Sequence, residues 1–151
     1  MPQDDGVRGK DYVIVEGGSI IVDAKGDAVT STNVADNTVG YVAVNGGTLT
    51  VKAGDDGIHA EGDLLIRGGT VTITQSVEGL EGYSVTLAGG TTTVTASDDG
   101  VNVSDGAGGT TTAGGGMAGP GGGGPGGGGN QDTGQYLIIS GGTNSVSSGG
   151  D

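Results

Sequence analysis

The sequence predicts an all-β protein folded as a right-handed parallel β-helix, a solenoid of about five coils with about 22 residues in each. The first observation is a repeat, which becomes clear when segments are aligned on a Gly-Gly pair. The aligned copies are YVIVEGGSIIVDA, YVAVNGGTLTVKA, DLLIRGGTVTITQ, SVTLAGGTTTVTA and YLIISGGTNSVSS. Such repeats bury an apolar face only by stacking on their neighbours. The right hand follows from the strong bias of crossovers between parallel strands.

The second observation is that the alignment produces four columns of uniformly apolar residues. Within each copy these residues alternate with others, which is the period of a β-strand. Columns that come from separate parts of one repeat must face a common interior. The columns are Val13, Val42, Leu64, Val85 and Leu137; Val15, Val44, Ile66, Leu87 and Ile139; Val22, Val51, Ile73, Val94 and Val146; and Val7, Val29, Ile58, Leu80 and Val101.

The third observation is the Gly-Gly pair itself, which marks a corner where the backbone needs permissive dihedral angles. In chain order the length suggests one domain, residues 1–151. The repeats are Asp4–Lys25, Gly26–Ala53 with an insertion at 32–39, Gly54–Gln75, Ser76–Ala96, and a fifth from Ser97. A Gly-rich loop at 106–134, of a composition that behaves as flexible coil, leaves the stack before Tyr136 resumes it.

Composition excludes several functions. The chain carries 18 acidic and five basic residues, a net charge of −13, which disfavours nucleic acid and anionic membranes and favours cations. There is no cysteine, so neither a disulfide framework nor thiolate chemistry is expected. We expect no membrane insertion, because no apolar run is long enough to cross a bilayer. The chain also shows no signal peptide.

An acidic turn precedes the strands of each repeat and is the strongest candidate for a site. Stacked carboxylates about 5 Å apart repel each other by roughly 3–4 kcal/mol at an effective dielectric of 20. Either their pKa values rise or cations bridge the turns, and hard oxygen ligands favour Ca²⁺. Asp and Gly are also ordinary turn residues, so a solvated ladder is the alternative. One column holds Asp5, Asp27, Asp56, Glu78, Asp99 and Asp151, and the preceding column holds Asp4, Asp55 and Asp98.

We therefore predict Ca²⁺ between the turns, with Asp4/Asp5, Asp55/Asp56 and Asp98/Asp99 as the richest donors. His59 follows the third acidic turn, in the column of Thr30, Glu81 and Asn102. We expect His59 to be exposed rather than a ligand or a base. Three tyrosines share another column and could stack on sugar rings, although aromatic residues also favour strands for their own sake. These are Tyr12, Tyr41 and Tyr136.

The motifs together resemble a known family. The opening DDGVRGKDYVIVEGG, the repeat DDGIHAEGDLLIRGGTVTIT, the turn DDGVNVSD, the Gly/Met/Pro-rich insertion and the following YLIISGG are similar to bacterial carbohydrate-binding parallel β-helix proteins. The similarity extends over residues 4–151. The resemblance implies a calcium-containing β-helix, extracellular or on the cell surface, that binds cellulose or pectin-like polysaccharide. It also implies a fold related to that of pectate lyases.

These patterns leave three functions open. The leading hypothesis is a non-catalytic carbohydrate-binding module with Ca²⁺ in its acidic turns. A second is a filament subunit, because β-helix ends present unpaired strand edges that can associate head to tail. The third is a calcium-dependent polysaccharide lyase. We predict no catalytic residues, because no convincing base stands near the acidic turns, and therefore rank the lyase last.

Overall fold

The computed structural model describes residues 4–35, 38–104 and 134–150. These residues form β-strands joined by turns, and they contain no helix. It follows that no helix among them could cross a membrane. The strands are β1 Val7–Gly9, β2 Tyr12–Val15, β3 Ser19–Asp23, β4 Val29–Ser31, β5 Tyr41–Val44, β6 Thr48–Lys52, β7 Ile58–Ile66, β8 Thr70–Gln75, β9 Leu80–Leu87, β10 Thr91–Ala96, β11 Val101–Val103, β12 Leu137–Ile139 and β13 Thr143–Ser148.

The strands form two sheets, and every pair within them is parallel. The first sheet has eight strands in two rows, β1–β4–β7–β9–β11 and β2–β5–β7–β9–β12. The long strands β7 and β9 belong to both rows. The second sheet has five strands in the order β3–β6–β8–β10–β13. Neighbours in each row come from successive repeats, so each repeat adds one strand to each row.

The strand register reproduces the four apolar columns. In the first sheet, Val42 pairs with Leu64, and Leu64 pairs with Val85. In the second sheet, Val51 pairs with Ile73. The remaining pairs continue in the same way, so alignment of the repeats on their glycines gave the true register. The prediction of parallel, in-register strands is confirmed.

Most column residues of both sheets belong to one apolar cluster, or pack against it. The exceptions are exposed: Val7, Leu137, Ile139 and Val146. In the middle repeats the column residues are completely covered: Ile58, Leu64, Ile66, Ile73 and Leu80 are each 0% exposed. Full burial of such a side chain contributes about 1.5–3 kcal/mol relative to leaving it in water. The core therefore consists of layers of aliphatic side chains contributed by each repeat.

The Gly-Gly corners are required by both dihedral angle and space. The second glycine of each pair has a positive φ; for Gly69 it is 80°. A β-carbon at Gly69 would lie 2.6 Å from the carbonyl oxygen of Gly47, the equivalent glycine in the repeat before. Glycine is the residue that adopts this region without strain and leaves room for the stacked backbone.

Both predicted insertions fall at the same junction of the repeat. Residues 32–40 separate β4 from β5, whereas the equivalent segments of the next repeat are parts of one strand, β7. The other junction separates β11 from β12. Most of the Gly-rich segment at 106–134 lies outside the described residues, as do residues 36 and 37.

Candidate functional site

The acidic turns stack in register, which brings their carboxylates into a ladder. We use the name acidic ladder for Asp5, Asp27, Asp56, Glu78 and Asp99. The amide that follows each of the first four donates to the carbonyl of the next residue in the ladder; that of Ala28, for example, donates to Asp56 O over 2.9 Å. Side chains strengthen the stacking, since Asp5 and Asp27 each accept a hydrogen bond from the next ladder amide. Asp151, the sixth residue of this predicted column, lies outside the described part of the chain.

The other predicted acidic column is placed differently. Asp4, Asp55 and Asp98 also stack through their backbones, but Gly26 and Val77 stand between them. Asp4 and Asp98 are exposed, and Asp55 is half-buried. The structure therefore groups the carboxylates of successive repeats along the acidic ladder. Among the described residues, neither cluster of three potential metal ligands includes Asp4, Asp55 or Asp98.

One cluster on the ladder consists of Asp27, Asp56 and His59, with ligand atoms within 4.8 Å of one another. His59 Nδ1 is 3.3 Å from Asp27 Oδ2 and 3.6 Å from Asp56 Oδ2. The other ring nitrogen, Nε2, is 3.8 Å from a carboxylate oxygen of Glu61. Only 20% of the His59 side chain is exposed. The expectation of an exposed histidine is wrong, because the side chain lies among the ladder carboxylates.

A second cluster consists of Asp56, Glu78 and Glu81, again with ligand atoms within 4.8 Å of one another. Asn102 Nδ2 donates to Glu78 over 2.7 Å, and Ser104 Oγ donates to Glu81 over 2.7 Å. Asp56 belongs to both clusters and is buried. It is therefore the residue on which the ladder charges converge.

Repulsion and burial shift the pKa values of the carboxyl groups in the two clusters, as expected for stacked acids. Burial, a hydrogen bond to Glu81 and the charge of Asp27 together raise the pKa of Asp56 to about 8. Burial, followed by the hydrogen bond to Glu81 and the charge of Glu81, raises the pKa of Glu78 to about 7. Burial would lower the pKa of His59, but the hydrogen bond to Asp27 and the nearby carboxylates outweigh it and raise the pKa to about 9. The ladder thus holds protons that ordinary carboxyl groups would lose.

Glu81 behaves in the opposite way. Burial disfavours its charged form, but hydrogen bonds from Ser104, Asp56 and Glu78 outweigh burial and lower the pKa of Glu81. Within the second cluster the protons therefore reside on Asp56 and Glu78, and Glu81 accepts their hydrogen bonds. A divalent cation placed among these oxygens would remove the need for the protons.

The ladder borders an open cleft of about 280 Å³. The cleft provides room for an ion with its water molecules, and its donors are mostly carboxylate oxygens, the ligands that Ca²⁺ prefers. Asp56 lines the cleft and also belongs to the cluster with Glu78 and Glu81, which offers oxygen donors alone, the donor set that suits calcium. The lining residues are Asp5, Arg8, Asp27, Thr30, Thr32, Asp55, Asp56, His59 and Glu61.

Sequence reasoning missed His59 and Glu81 as members of the site. Both lie three residues after a ladder residue, in a column that also contains Arg8, Thr30 and Asn102. The column is visible in the sequence, but its chemistry varies from repeat to repeat, so it was not assigned to the site. The signal that could have found it is its constant offset from the ladder.

The predicted tyrosine strip is only partly assembled. The rings of Tyr12 and Tyr41 stack with centroids 5.3 Å apart and an angle of 14° between their planes. Asp63 and Ser84 occupy the next two positions and hydrogen-bond to each other over 2.6 Å. Tyr136 follows beyond Ser84 and is exposed. The structure thus brings two tyrosines together and leaves the third apart.

Comparison with known proteins gives one result that covers the chain. A family model described as "Carbohydrate-binding domain-containing protein" matches residues 2–151. No curated protein and no solved structure matches the chain. The match to the family model includes both sheets, the acidic ladder and the Gly-rich segment. The chain therefore belongs to the family of carbohydrate-binding domain-containing proteins.

Proposed function

We propose that this protein is a non-catalytic module of the cell exterior or cell surface that binds plant-type polysaccharide, with Ca²⁺ bridging its acidic ladder. Family membership supports the carbohydrate-binding role. The single structural observation that supports calcium is the convergence of two clusters on Asp56, whose pKa is raised to about 8 by burial and its neighbours. The polysaccharide class, the metal and the location are our inferences.

We also propose that the two sheets are faces of a right-handed parallel β-helix. Three features support this: every strand pair is parallel, neighbouring strands come from successive repeats, and one core lies between the sheets. The right hand is the usual one for crossovers between parallel strands. In this arrangement each acidic turn stacks about 4.8 Å from the next. An ion between two turns could then bind carboxylates from both.

Calcium would supply charge compensation that the protein itself provides only in part. His59 carries positive charge beside Asp27 and Asp56, and Arg8 pairs with Asp5 over 3.1 Å. Glu78 has an amide partner, Asn102, but no ion pair among the described residues. Asp56, Glu78 and Glu81 would therefore hold the ion, which, when bound, would neutralise them and fasten neighbouring turns together.

The titration of His59 favours a binding protein over a lyase. A lyase that abstracts a proton near calcium needs a base that is unprotonated at working pH. Without a bound ion, the hydrogen bond to Asp27 and the neighbouring carboxylates outweigh burial and raise the pKa of His59 to about 9. Lys52 Nζ lies 3.6 Å from Asp23, away from the ladder. The residues around the cleft are thus better suited to holding a cation than to proton abstraction.

The proposal is tested by sedimentation of the protein with insoluble cellulose and with a pectin gel, in calcium and in chelator. We expect binding to at least one polysaccharide in calcium. Binding that persists in chelator would assign calcium a structural role, whereas binding lost while the circular dichroism spectrum is unchanged would place the ladder in the sugar contact. Absence of binding to any polysaccharide would contradict the proposal.

A second candidate is head-to-tail self-association of the β-helix. Leu137, Ile139 and Val146 belong to the core columns, yet they are 44%, 59% and 47% exposed. A second copy stacked on this repeat would bury them and pair its strands with β12 and β13. Analytical ultracentrifugation should then show concentration-dependent polymers that the variant Ile139→Lys does not form. A monomer at all concentrations would exclude this candidate.

A further inference from the structure

The outer surface of the second sheet carries a regular array of hydroxyl groups. After each of the last four Gly-Gly corners comes a Thr-x-Thr or Thr-x-Ser sequence: TLT, TVT, TTT and TNS. The strand register aligns these residues in two straight columns. We call this array the threonine face. Its columns are Thr48, Thr70, Thr91 and Thr143, and Thr50, Thr72, Thr93 and Ser145.

These side chains point away from the core and have no partner in the protein. The residue between the two members of each of the first three pairs, Leu49, Val71 or Thr92, is buried. The array residues themselves are exposed, except that Thr50 and Thr72 are half-buried. Among the described residues, none of the eight hydroxyl groups forms a hydrogen bond within the chain. All eight are therefore available to an external partner.

The threonine face is neutral, although the chain has a net charge of −13. The charged residues of the same sheet surface are Asp23 and Lys52, at the carboxyl ends of β3 and β6, and they pair with each other. Each threonine presents a methyl group beside its hydroxyl group. Sugar rings have the matching chemistry, because they expose C–H surfaces bordered by hydroxyl groups.

The spacing of the array also suits a sugar chain. Neighbouring strands lie about 4.8 Å apart, and residues two apart along a strand lie about 6.6 Å apart. The first distance is close to the length of one pyranose residue in an extended β-1,4-linked chain. A chain that runs across the strands would therefore meet one threonine pair for each sugar, and the face offers four such pairs in succession.

We propose that the threonine face binds a neutral, extended polysaccharide, with successive sugars lying on successive repeats. This inference rests on the proposed carbohydrate-binding function and assigns it a location and a substrate class. The neutral face selects against acidic polymers such as polygalacturonate, whose charges gain nothing from hydroxyl partners. Threonine also favours strands in general, so an array without a ligand is the alternative that the experiment must exclude.

The decisive variant is Thr50→Val/Thr72→Val/Thr93→Val, which keeps shape and strand preference but removes three hydroxyl groups. Its matched control is Thr86→Val, on the outer face of β9 in the other sheet and next to the tyrosine column. Affinity for cello-oligosaccharides is measured by titration calorimetry in calcium. We expect the triple variant to bind at least tenfold more weakly than the wild type, and the control to bind equally well.

Dependence on chain length gives a second readout. The tetrasaccharide should bind at least tenfold more tightly than the disaccharide, because it spans all four threonine pairs. Equal affinity of the triple variant and the wild type, or loss of binding in Thr86→Val alone, would overturn the proposal. A second variant, Thr72→Lys, blocks the face without affecting the core, and binding equal to wild type would likewise overturn the proposal.

The outcomes separate this inference from the function on which it rests. If the wild type binds polysaccharide and the threonine variants do so equally well, only the assignment to this face fails. If the wild type binds no polysaccharide, the proposed function itself fails. Ordered arrays of hydroxyl and methyl groups can also bind ice. If the wild type shaped ice crystals but did not bind cellulose, the assignment of the face to sugar would be overturned.

Discussion

The acidic ladder and the threonine face are built by the same stacking of repeats, yet they have opposite energetics. In the ladder, stacking brings like charges together, and the pKa of Asp56 rises to about 8 through burial and neighbouring carboxylates. On the threonine face, stacking aligns neutral hydroxyl groups that do not conflict. A stacked repeat multiplies the chemistry of each column, so a charged column accumulates a cost that a neutral column avoids. The acidic ladder therefore needs a counter-ion, whereas the threonine face can serve as a contact surface without one.

The largest expected effect comes from the core that both regions share. Ile58→Ala, beside the acidic turn, and Ile73→Ala, beneath the threonine face, should each lower the free energy of unfolding by about 2–5 kcal/mol, because each removes a fully buried side chain. Urea denaturation measures the loss. Ile21→Ala is the control, since this side chain is 81% exposed, and should cost no more than about 0.5 kcal/mol. A much smaller loss at Ile58 than at Ile73 would show that the two regions do not depend on one core.

Calcium should distinguish the two regions most directly. At a concentration of 100 times its Kd, calcium should stabilise the wild type by about 2.7 kcal/mol. Asp56→Asn should lose most of this gain, because it removes the carboxylate shared by both clusters. Thermal unfolding with and without chelator measures the difference. Asp23→Asn, an exposed acid at the edge of the threonine sheet, should respond to calcium as the wild type does. If Asp56→Asn showed the full stabilisation by calcium, calcium binding at the acidic ladder would be contradicted.

The smallest expected effect is a pH dependence confined to the ladder. The pKa of Asp56 is raised from its usual 3.8 to about 8, and that of Glu78 from 4.5 to about 7, so both bind protons more tightly when folded. Their contribution to the free energy of unfolding is fully present below about pH 4 and is lost as the pH rises through 7 to 8. The pKa of His59, raised from 6.5 to about 9, acts in the same direction, with its contribution complete below pH 6.5 and lost near pH 9.

In chelator, the melting temperature should therefore fall by several degrees between pH 6 and pH 9. Saturating calcium should reduce this fall, because the ion binds deprotonated carboxylates and takes the place of the protons. Asp56→Asn should flatten the profile in chelator, whereas Thr72→Val should leave it unchanged. A melting temperature that rises over this range would contradict the pKa directions on which the comparison rests.

The columns were predictable from sequence because each contains one kind of residue. Val42, Leu64 and Val85 align through the Gly-Gly pairs and pair in the sheet as predicted. The ladder was predictable for the same reason. The orientation of the two adjacent acids in a turn was not, because Asp55 and Asp56 are equivalent in sequence and only the folded turn buries one of them. His59 was expected to be exposed and Glu81 was not assigned to the site, because their column has mixed chemistry.

The threonine face shows the reverse case, a uniform column whose importance is not visible in the alignment alone. Threonine after each Gly-Gly corner is explained well enough by strand preference. The array becomes a candidate binding surface because its side chains are exposed, neutral and without hydrogen-bond partners among the described residues. These are properties of the folded sheet.

The junction between the first and second strands of each repeat has a practical consequence for protein engineering. Nine residues, 32–40, separate β4 from β5, and 33 residues, 104–136, separate β11 from β12, while β9 runs through the same junction without a break. The stack keeps its register on both sides of each interruption. Since doubling a loop costs only about 0.6 kcal/mol in closure entropy, this corner should accept foreign sequence. The segment between β4 and β5 is therefore a position where a peptide tag or a small domain could be displayed on a rigid support.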